Sequence, residues 1–323
     1  MNTRPVLGID IAKDNFQITL RQGQHLARHE FTNDPAGFSR LAAWLRRQRV
    51  HQVHACLEAT GLYGEALAEY LYAAGHVVSV VNPARTRAYA ESQLTRNKTD
   101  PVDADVIADF CLRQEPGPWV PPPPEIRALK ALLHQYEALQ AMRTQELNRQ
   151  QAGLVNATVE QLLKEHVAFL DAQLAELQRL IEEHIQQHPH LRQQQELLDS
   201  IKGIGPLTAA FLVSLQLERF ESSRAATAFV GLNPRVRQSG KSVRHRSALS
   251  KMGDPQFRAI LYWPAVTAWR FNPIVHTFCE RLVTNGKTKM QVIAAAMRKL
   301  LCLAYGVIKS GQPFDPNYAQ SVS

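Results

Sequence analysis

Four acids crowd one short stretch of this chain: Asp100, Asp103, Asp105 and Asp109, in NKTDPVDADVIAD at Asn97–Asp109. Pro101 suits the first position of a helix, and Asp100 before it is a good N-cap. On such a helix Asp100 and Asp103 lie three apart and share a face. Two carboxylates on one face repel each other. A hard divalent cation between them turns that repulsion into binding, because Mg²⁺ takes oxygen ligands. Alone, the pattern is equally an acidic, capped helix start in plain solvent. Two distant acids favour the cation. Asp10 closes the apolar run Val6–Asp10, and Glu58 closes Val53–Glu58. Ligand sites in α/β sheets sit at the carboxyl ends of strands. If the two runs are neighbouring strands, Asp10 and Glu58 meet there, and the helix carrying Asp100 and Asp103 covers the same edge. Four carboxylates held together by Mg²⁺ or Mn²⁺ are what metal-assisted phosphoryl transfer requires. Lys13 and Lys98 are near these acids in sequence and would offset charge or touch phosphate.

A second reactive segment is Phe229–Gly253. Arg235, Arg237, Lys241, Arg244, Arg246 and Lys251 crowd it, and it holds no acid. Such a run calls for a polyanion. Ser239-Gly240 lies inside it. A serine exposed on a turn could attack a phosphate whose charge the surrounding cations stabilise. From composition alone, a serine in a basic loop is ordinarily a phosphate contact, and Ser242 and Ser247 compete with Ser239 for the role. A third segment, Gln195–Leu215, sets Gly203-Ile204-Gly205 between two apolar helices, with Pro206 opening the second. This is the helix-hairpin-helix pattern. Its glycines let backbone approach DNA phosphate and its helix N-terminus offers N–H donors. The alternative is a tight turn without a ligand.

The elements that must position these residues can be read in order. Val6–Asp10 is a short apolar strand, Phe16–Leu20 alternates apolar and polar as a half-buried strand does, and His25–Phe31 is a third strand after the Gln22-Gly23 turn. Asn33-Asp34-Pro35 caps a helix to about Arg49, Val53–Glu58 is a buried strand, and a helix runs to Ala74. Gly75 ends it, Val77–Val81 is a fifth strand, and Asn82-Pro83 opens another helix. A strand meander followed by strands alternating with helices predicts an α/β layer on a mixed sheet over residues 1–115. Residues 116–124 carry four consecutive prolines and predict an extended spacer. Residues 125–188 are helical. Leu163, Val167, Leu170, Leu174, Leu177 and Ile181 form a coiled-coil or helical-hairpin seam. A seam this narrow after a rigid spacer favours pairing between subunits, with a break at Gly153–Thr158. Residues 189–323 predict a mainly α-helical domain. Met290–Ile308 is its long core helix, Trp263 and Trp269 belong to core packing before base stacking, and the tail from Ser310 is loosely held.

The chain has 323 residues, 45% of them hydrophobic and 20% charged, which is enough for two or three cored domains. A net charge of +8 favours a polyanionic partner, most simply nucleic acid. Cys56, Cys111, Cys279 and Cys302 never form CxxC, so they read as reduced core residues and not as a zinc site or disulfide frame. With no signal peptide and no apolar run of membrane length, the expected location is cytoplasmic and nucleoid-associated.

The order of strands and acids resembles the RNase H-like fold in its Holliday-junction-resolvase form. Gly8-Ile9-Asp10, LEATG around Glu58 and NKTDPVDA look like the DEDD-type insertion-sequence transposases, a family that includes the Piv-like DNA invertases and the bridge-RNA-guided recombinases. The resemblance implies a DEDD set of Asp10, Glu58, Asp100 and Asp103. It leaves Asp105 outside the motif, as a solvated acid or one supporting the others. In the same family a C-terminal P…SG…K.G pattern holds the catalytic serine. Here that pattern is Pro234, Ser239, Gly240, Lys251 and Gly253, with Ser239 as nucleophile. The resemblance further implies donor and target DNA, a noncoding bridge RNA, a phosphoserine intermediate, and a homo-oligomer, dimer or tetramer, whose subunits cross-associate. From the residues alone, two other readings stand beside it. One is a metal-dependent Holliday-junction-type endonuclease acting by hydrolysis. The other is an architectural nucleic-acid-binding protein.

Overall fold

The computed structural model describes residues 4–59, 62–93, 100–153, 156–235, 238–239, 243–244, 248–249 and 253–317, and side chains throughout these except at 62, 100–102, 235, 238–239, 243–244 and 248. The chain divides into two compact units, Met1–Pro122 and Pro123–Ser323.

The first unit is built on a five-stranded mixed sheet. β1 (Val6–Ile11), β2 (Asn15–Gln22) and β3 (His25–Thr32) form an antiparallel meander. The β2–β3 turn is two residues long, with Gly23 at φ +59°, the left-handed conformation that tight hairpins ask for. β4 (His54–Glu58) and β5 (Val77–Val81) then add in parallel, giving the order β3-β2-β1-β4-β5. α1 (Pro35–Arg47) starts where the Asp34 carboxylate accepts from Gly37 N at 2.6 Å. α1 and α2 (Glu65–Ala73) cover one face, where Leu7, Ile9, Phe16, Ile18 and Leu57 pack with Phe38, Leu41, Leu67 and Leu71. Each such side chain contributes about 1.5–3 kcal/mol by leaving water. α3 (Pro83–Ser92), capped by Asn82, and α4 (Asp100–Gln114) cover the other face, where Val6, Cys56 and Val81 meet Ile107, Ala108 and Cys111. The proline-rich stretch is not a free spacer from its start. Trp119 N donates to Val78 O at 2.6 Å, and the buried Ser79 hydroxyl lies 2.9 Å from the Gly117 carbonyl. These bonds dock the stretch along β5 as far as Trp119.

The second unit opens with a hairpin of α5 (Pro124–Gln151) and α6 (Ala157–Gln187), with Asn156 capping α6. Here the part of the expected intersubunit seam from Leu170 to Ile181 packs within the chain. Leu170 and Leu174 bury against Leu139, and Ile181 and Ile185 join Ile126, Leu129 and Leu133. A short connection keeps α5 at high local concentration, so the seam finds its own neighbour first. A different set of α6 residues stays in solvent, with Leu162 and Phe169 each 59% exposed. The base of the hairpin belongs to the same core as α7 (Pro189–Asp199), α8 (Pro206–Ser214), α9 (Ser223–Val230), α10 (Pro255–Phe271), α11 (Pro273–Thr284) and α12 (Lys289–Ser310). α12 is long and apolar enough to cross a membrane by length and composition, contrary to expectation. Its Val292, Ile293, Ala296, Leu300, Leu301 and Ala304 are core residues of this unit. The tail is also held further than expected, because Phe314 packs on that core and its N–H donates to Ser200 Oγ at 2.8 Å.

Candidate active site

Strand register brings the two distant acids together. β1 and β4 are adjacent and parallel, paired as far as Ile9 with Leu57, so Asp10 and Glu58 stand one step beyond at their carboxyl ends. Side chains alternate along a strand. Gly8 and Cys56 are paired two residues earlier and face α4, so Asp10 and Glu58 face the α4 side as well. Gly8 explains how α4 comes so close. A Cβ there would lie 2.3 Å from the Ala104 carbonyl oxygen and 2.4 Å from Ala108 N. The glycine of the Gly-Ile-Asp motif therefore admits a helix backbone. Asp103 is half-buried on α4, immediately before Ala104. Lys13 is exposed in the β1–β2 turn. Lys98 and the Asp100 side chain lie outside the described residues, and so does any capping by Asp100.

Among the described residues, no three acids, histidines or cysteines form one cluster. The donor set nonetheless suits Mg²⁺ or Mn²⁺: Asp10 and Glu58 carry hard oxygens on neighbouring strands, and such ions are commonly held by one or two carboxylates together with substrate phosphate. Glu58 also accepts a hydrogen bond from the Thr86 hydroxyl on α3.

The two acids outside the motif fasten the helix. Asp105 accepts from Thr19 Oγ1 on β2 at 2.7 Å and from both Arg28 Nε and Nη2 on β3 at 2.8 and 2.6 Å. Asp109, one turn on, accepts from Arg21 Nη1 at 2.5 Å, from Arg113 Nε at 2.9 Å and from the Tyr89 hydroxyl. Burial works against ionising Asp105, but the Arg28 fork and the Thr19 hydroxyl outweigh it and its pKa falls below the ordinary value. Asp109 is lowered likewise, with burial again opposed by Tyr89, Arg113 and Arg21. Burial first, and then the bond to Asp109, push the Tyr89 phenol up to about 12. Asp105 is therefore an anchoring acid rather than a solvated one.

In the second unit the basic segment is a nested pair of short ladders. β6 (Pro234–Arg235) pairs antiparallel with β9 (Ala248–Leu249), and inside it β7 (Gln238–Ser239) pairs with β8 (Val243–Arg244). Ser239 is opposite Val243, at the last pair before the tip. Arg237, Gly240, Lys241, Arg246 and Lys251 lie outside the described residues, as do the side chains of Ser239, Arg235 and Arg244. The base of this hairpin is tightly closed. A Cβ on Gly253 would lie 2.3 Å from Phe229 O and 2.4 Å from Gly231 N. Gly231, at φ +75°, ends α9. Arg258 Nη1 on α10 reaches the carbonyls of Val230 and Gly253, each at 2.9 Å. The sequence marked Gly253 by its motif but gave no sign of Arg258.

The two glycines of the α7–α8 turn differ. Gly203 has φ +109°, and a Cβ there would meet the Ala268 Cβ at 2.6 Å, so this glycine serves the close passage of α10. Gly205 is exposed at the N-terminus of α8, where a Cβ would meet nothing within 4 Å and no side chain caps the helix. Trp269 packs against the core and donates to Glu280 Oε1 at 3.0 Å. Trp263 departs from the expected core role, being 71% exposed. It lines an open cleft of about 1050 Å³ within this unit, together with Leu207, Thr208, Phe211, Gln145 and Asn148.

Residues 7–159 match a family of transposases described as the DEDD type of IS110, and residues 195–280 match the transposases of the IS116/IS110/IS902 family. Similar proteins include the pilin gene-inverting proteins of Moraxella lacunata and Moraxella bovis, each 33% identical over 97% of this chain and 98% of theirs. A probable family 20 transposase of Pseudomonas aeruginosa is 25% identical over 79% of this chain and 81% of its own.

Proposed function

The chain belongs to the IS110 family of DEDD transposases and is an enzyme that recombines DNA, and we propose that it does so through a phosphoserine intermediate formed at Ser239. The observation that carries the acidic half of this reading is the adjacency of Asp10 and Glu58 on the face that α4 covers. A Mg²⁺ or Mn²⁺ ion held by Asp10, Glu58, Asp100 and Asp103 would supply charge stabilisation at the reacting phosphate and at the departing oxygen. The Ser239 oxygen bonds to phosphorus as the bond from phosphorus to the 3′-oxygen breaks. The serine gives up its proton and the departing 3′-oxygen gains one. The phosphodiester energy is kept in the protein–DNA bond, and attack by a second strand's 3′-hydroxyl releases Ser239 and completes the exchange through a four-way junction. Arg235, Arg237, Lys241, Arg244, Arg246 and Lys251, from a segment free of acids, would neutralise the DNA backbone around the serine. Gly205 and Lys202, at the turn before α8, would contact phosphate, and Trp263 would stack on an unpaired base.

The same reading extends to partners. The relatives' name speaks of inverting a pilin gene, and for this chain we carry over rearrangement of donor and target DNA without that target. A structured noncoding RNA pairing with both DNAs would then choose the sequence, and the protein would read shape and backbone. The acids and the serine belong to different compact units, which suits an active site completed across subunits of a dimer or tetramer.

The test is covalent capture. With Mg²⁺ and an intact four-way junction substrate, the wild-type chain should form a protein–DNA adduct, and peptide mass spectrometry should place it on Ser239. Free nicked DNA from a Ser239→Ala variant, with no adduct in the wild type, would replace the recombinase with a hydrolytic junction endonuclease.

A further inference from the structure

We propose that Thr86 is a positioning residue that holds the Glu58 carboxylate in the geometry its cation needs; this rests on Glu58 being one of the acids described above. Thr86 is 2% exposed, yet it carries a hydroxyl. A buried hydroxyl must be hydrogen-bonded to be tolerated. Two acceptors lie within its reach, the Glu58 carboxylate and the Pro83 carbonyl at 2.9 Å. A threonine in a helix ordinarily returns its proton to a carbonyl three or four residues back. Here a carboxylate competes, and an ionised acceptor makes the stronger bond. The single proton therefore goes to Glu58 Oε1.

Glu58 needs this partner more than Asp10 does. Its side chain has one more rotatable bond, and β4 ends with it. The helix that presents Thr86 is itself fixed on both sides of that residue. Arg85 lies over the Phe110 ring of α4 at 5.3 Å, and the Tyr89 hydroxyl donates to Asp109, also on α4. Asn82 caps the start of the helix through Ala84 N at 2.8 Å. Thr86 is thus a rigid donor aimed at a flexible acid. It selects one orientation of Glu58 and commits Oε1, so the coordination that remains for a cation is one-sided. Partners of this kind orient ligating carboxylates in metal sites, and their loss typically weakens metal affinity about 10–100-fold.

The experiment measures Mn²⁺ binding by the full-length chain without DNA, by electron paramagnetic resonance. Thr86→Val keeps shape and removes the donor, whereas Thr86→Ser keeps the donor. Glu58→Gln is run in parallel, and melting in EDTA reports folding. The expected result is Mn²⁺ affinity about tenfold or more weaker in Thr86→Val, near wild type in Thr86→Ser, with melting in EDTA little changed in both. Should the valine variant fail to fold, Thr86→Ala, which a helix interior accepts readily, takes its place with the same expectations. If Glu58→Gln loses Mn²⁺ while a folded Thr86→Val or Thr86→Ala binds as wild type does, Thr86 has no positioning role. If Glu58→Gln also binds as wild type does, the assignment of Glu58 to the cation fails instead.

Discussion

Asp10 and Glu58 leave adjacent parallel strands one step past the Ile9–Leu57 pair, on the face that α4 covers. A cation bound by both acids would favour the folded chain, because the unfolded chain does not hold the two together. Saturating Mn²⁺ should therefore raise the melting temperature of the wild type, by an amount equivalent to about 2.7 kcal/mol at a hundred times the dissociation constant. Asp10→Asn should lose that increment together with strand transfer, without melting lower in EDTA. Calorimetry with and without Mn²⁺ checks both, and an undiminished increment in Asp10→Asn would remove Asp10 from the site.

Asp105 and Arg28 tie α4 to the far side of the same sheet. Asp105→Asn should destabilise the first unit by about 1 kcal/mol, below the usual range for a charged hydrogen bond because Arg28 is half in solvent. The sign with pH follows from the lowered pKa of Asp105. Its contribution is present above the ordinary aspartate value of about 3.9 and is lost as pH falls through the depressed folded value. The difference between wild type and Asp105→Asn in urea unfolding should be constant near neutrality and shrink in acid below that value. A difference that grows in acid would mean the pair does not stabilise the fold.

Much of this architecture is legible from local chemistry. The apolar run Val6–Asp10 and the alternation of Phe16–Leu20 give β1 and β2, and Asn33-Asp34-Pro35 and Asn82-Pro83 announce helix starts that the structure caps at Asp34 and Asn82. What escaped depends on distant partners. Gly8 and Gly203 are glycines because α4 and α10 pass over them, far along the chain. The two-residue strands around Ser239 are too short for any period to show within a run of cations. The α6 seam has the same spacing whether it pairs within or between chains, and only the fold shows that Leu170 and Leu174 pack on Leu139 of α5. Thr86 had no motif to mark it, and only the fold reveals its carboxylate partner.

Arg258 gathers the carbonyls that close the base of the Ser239 hairpin. Arg258→Met keeps most of the bulk but leaves those carbonyls unpaired, at a cost of about 1–3 kcal/mol. Strand transfer should fall while Mn²⁺ binding by the acids of the other unit is unchanged. Loss of Mn²⁺ binding in this variant would show that the defect is not confined to the hairpin's unit.

Trp263 is exposed in a cleft fringed by Gln145, Asn148 and Thr208. Stacking on an unpaired base is worth about 1–3 kcal/mol, so Trp263→Ala should weaken binding of a single-stranded oligonucleotide about 5–150-fold, with Trp263→Tyr recovering most of it. Fluorescence anisotropy at fixed salt reads both. Equal affinity in wild type and Trp263→Ala would leave the tryptophan without a role in nucleic-acid binding.

Subunit sharing has its own test. Neither Ser239→Ala nor Asp10→Ala alone should transfer strands, and mixing them should restore activity if serine and acids come from different chains. No recovery after mixing, with both variants assembled, would place each site within one chain.

The most direct measurement follows one phosphate. A phosphorothioate at the scissile position replaces an oxygen that Mg²⁺ would hold with a sulfur that Mn²⁺ accepts better. Adduct formation at Ser239 should slow on this substrate in Mg²⁺, recover in Mn²⁺, and fail in both for Asp10→Asn. Equal rates in the two metals, with Asp10→Asn still forming the adduct, would contradict the convergence of the acids and the serine on a single phosphate.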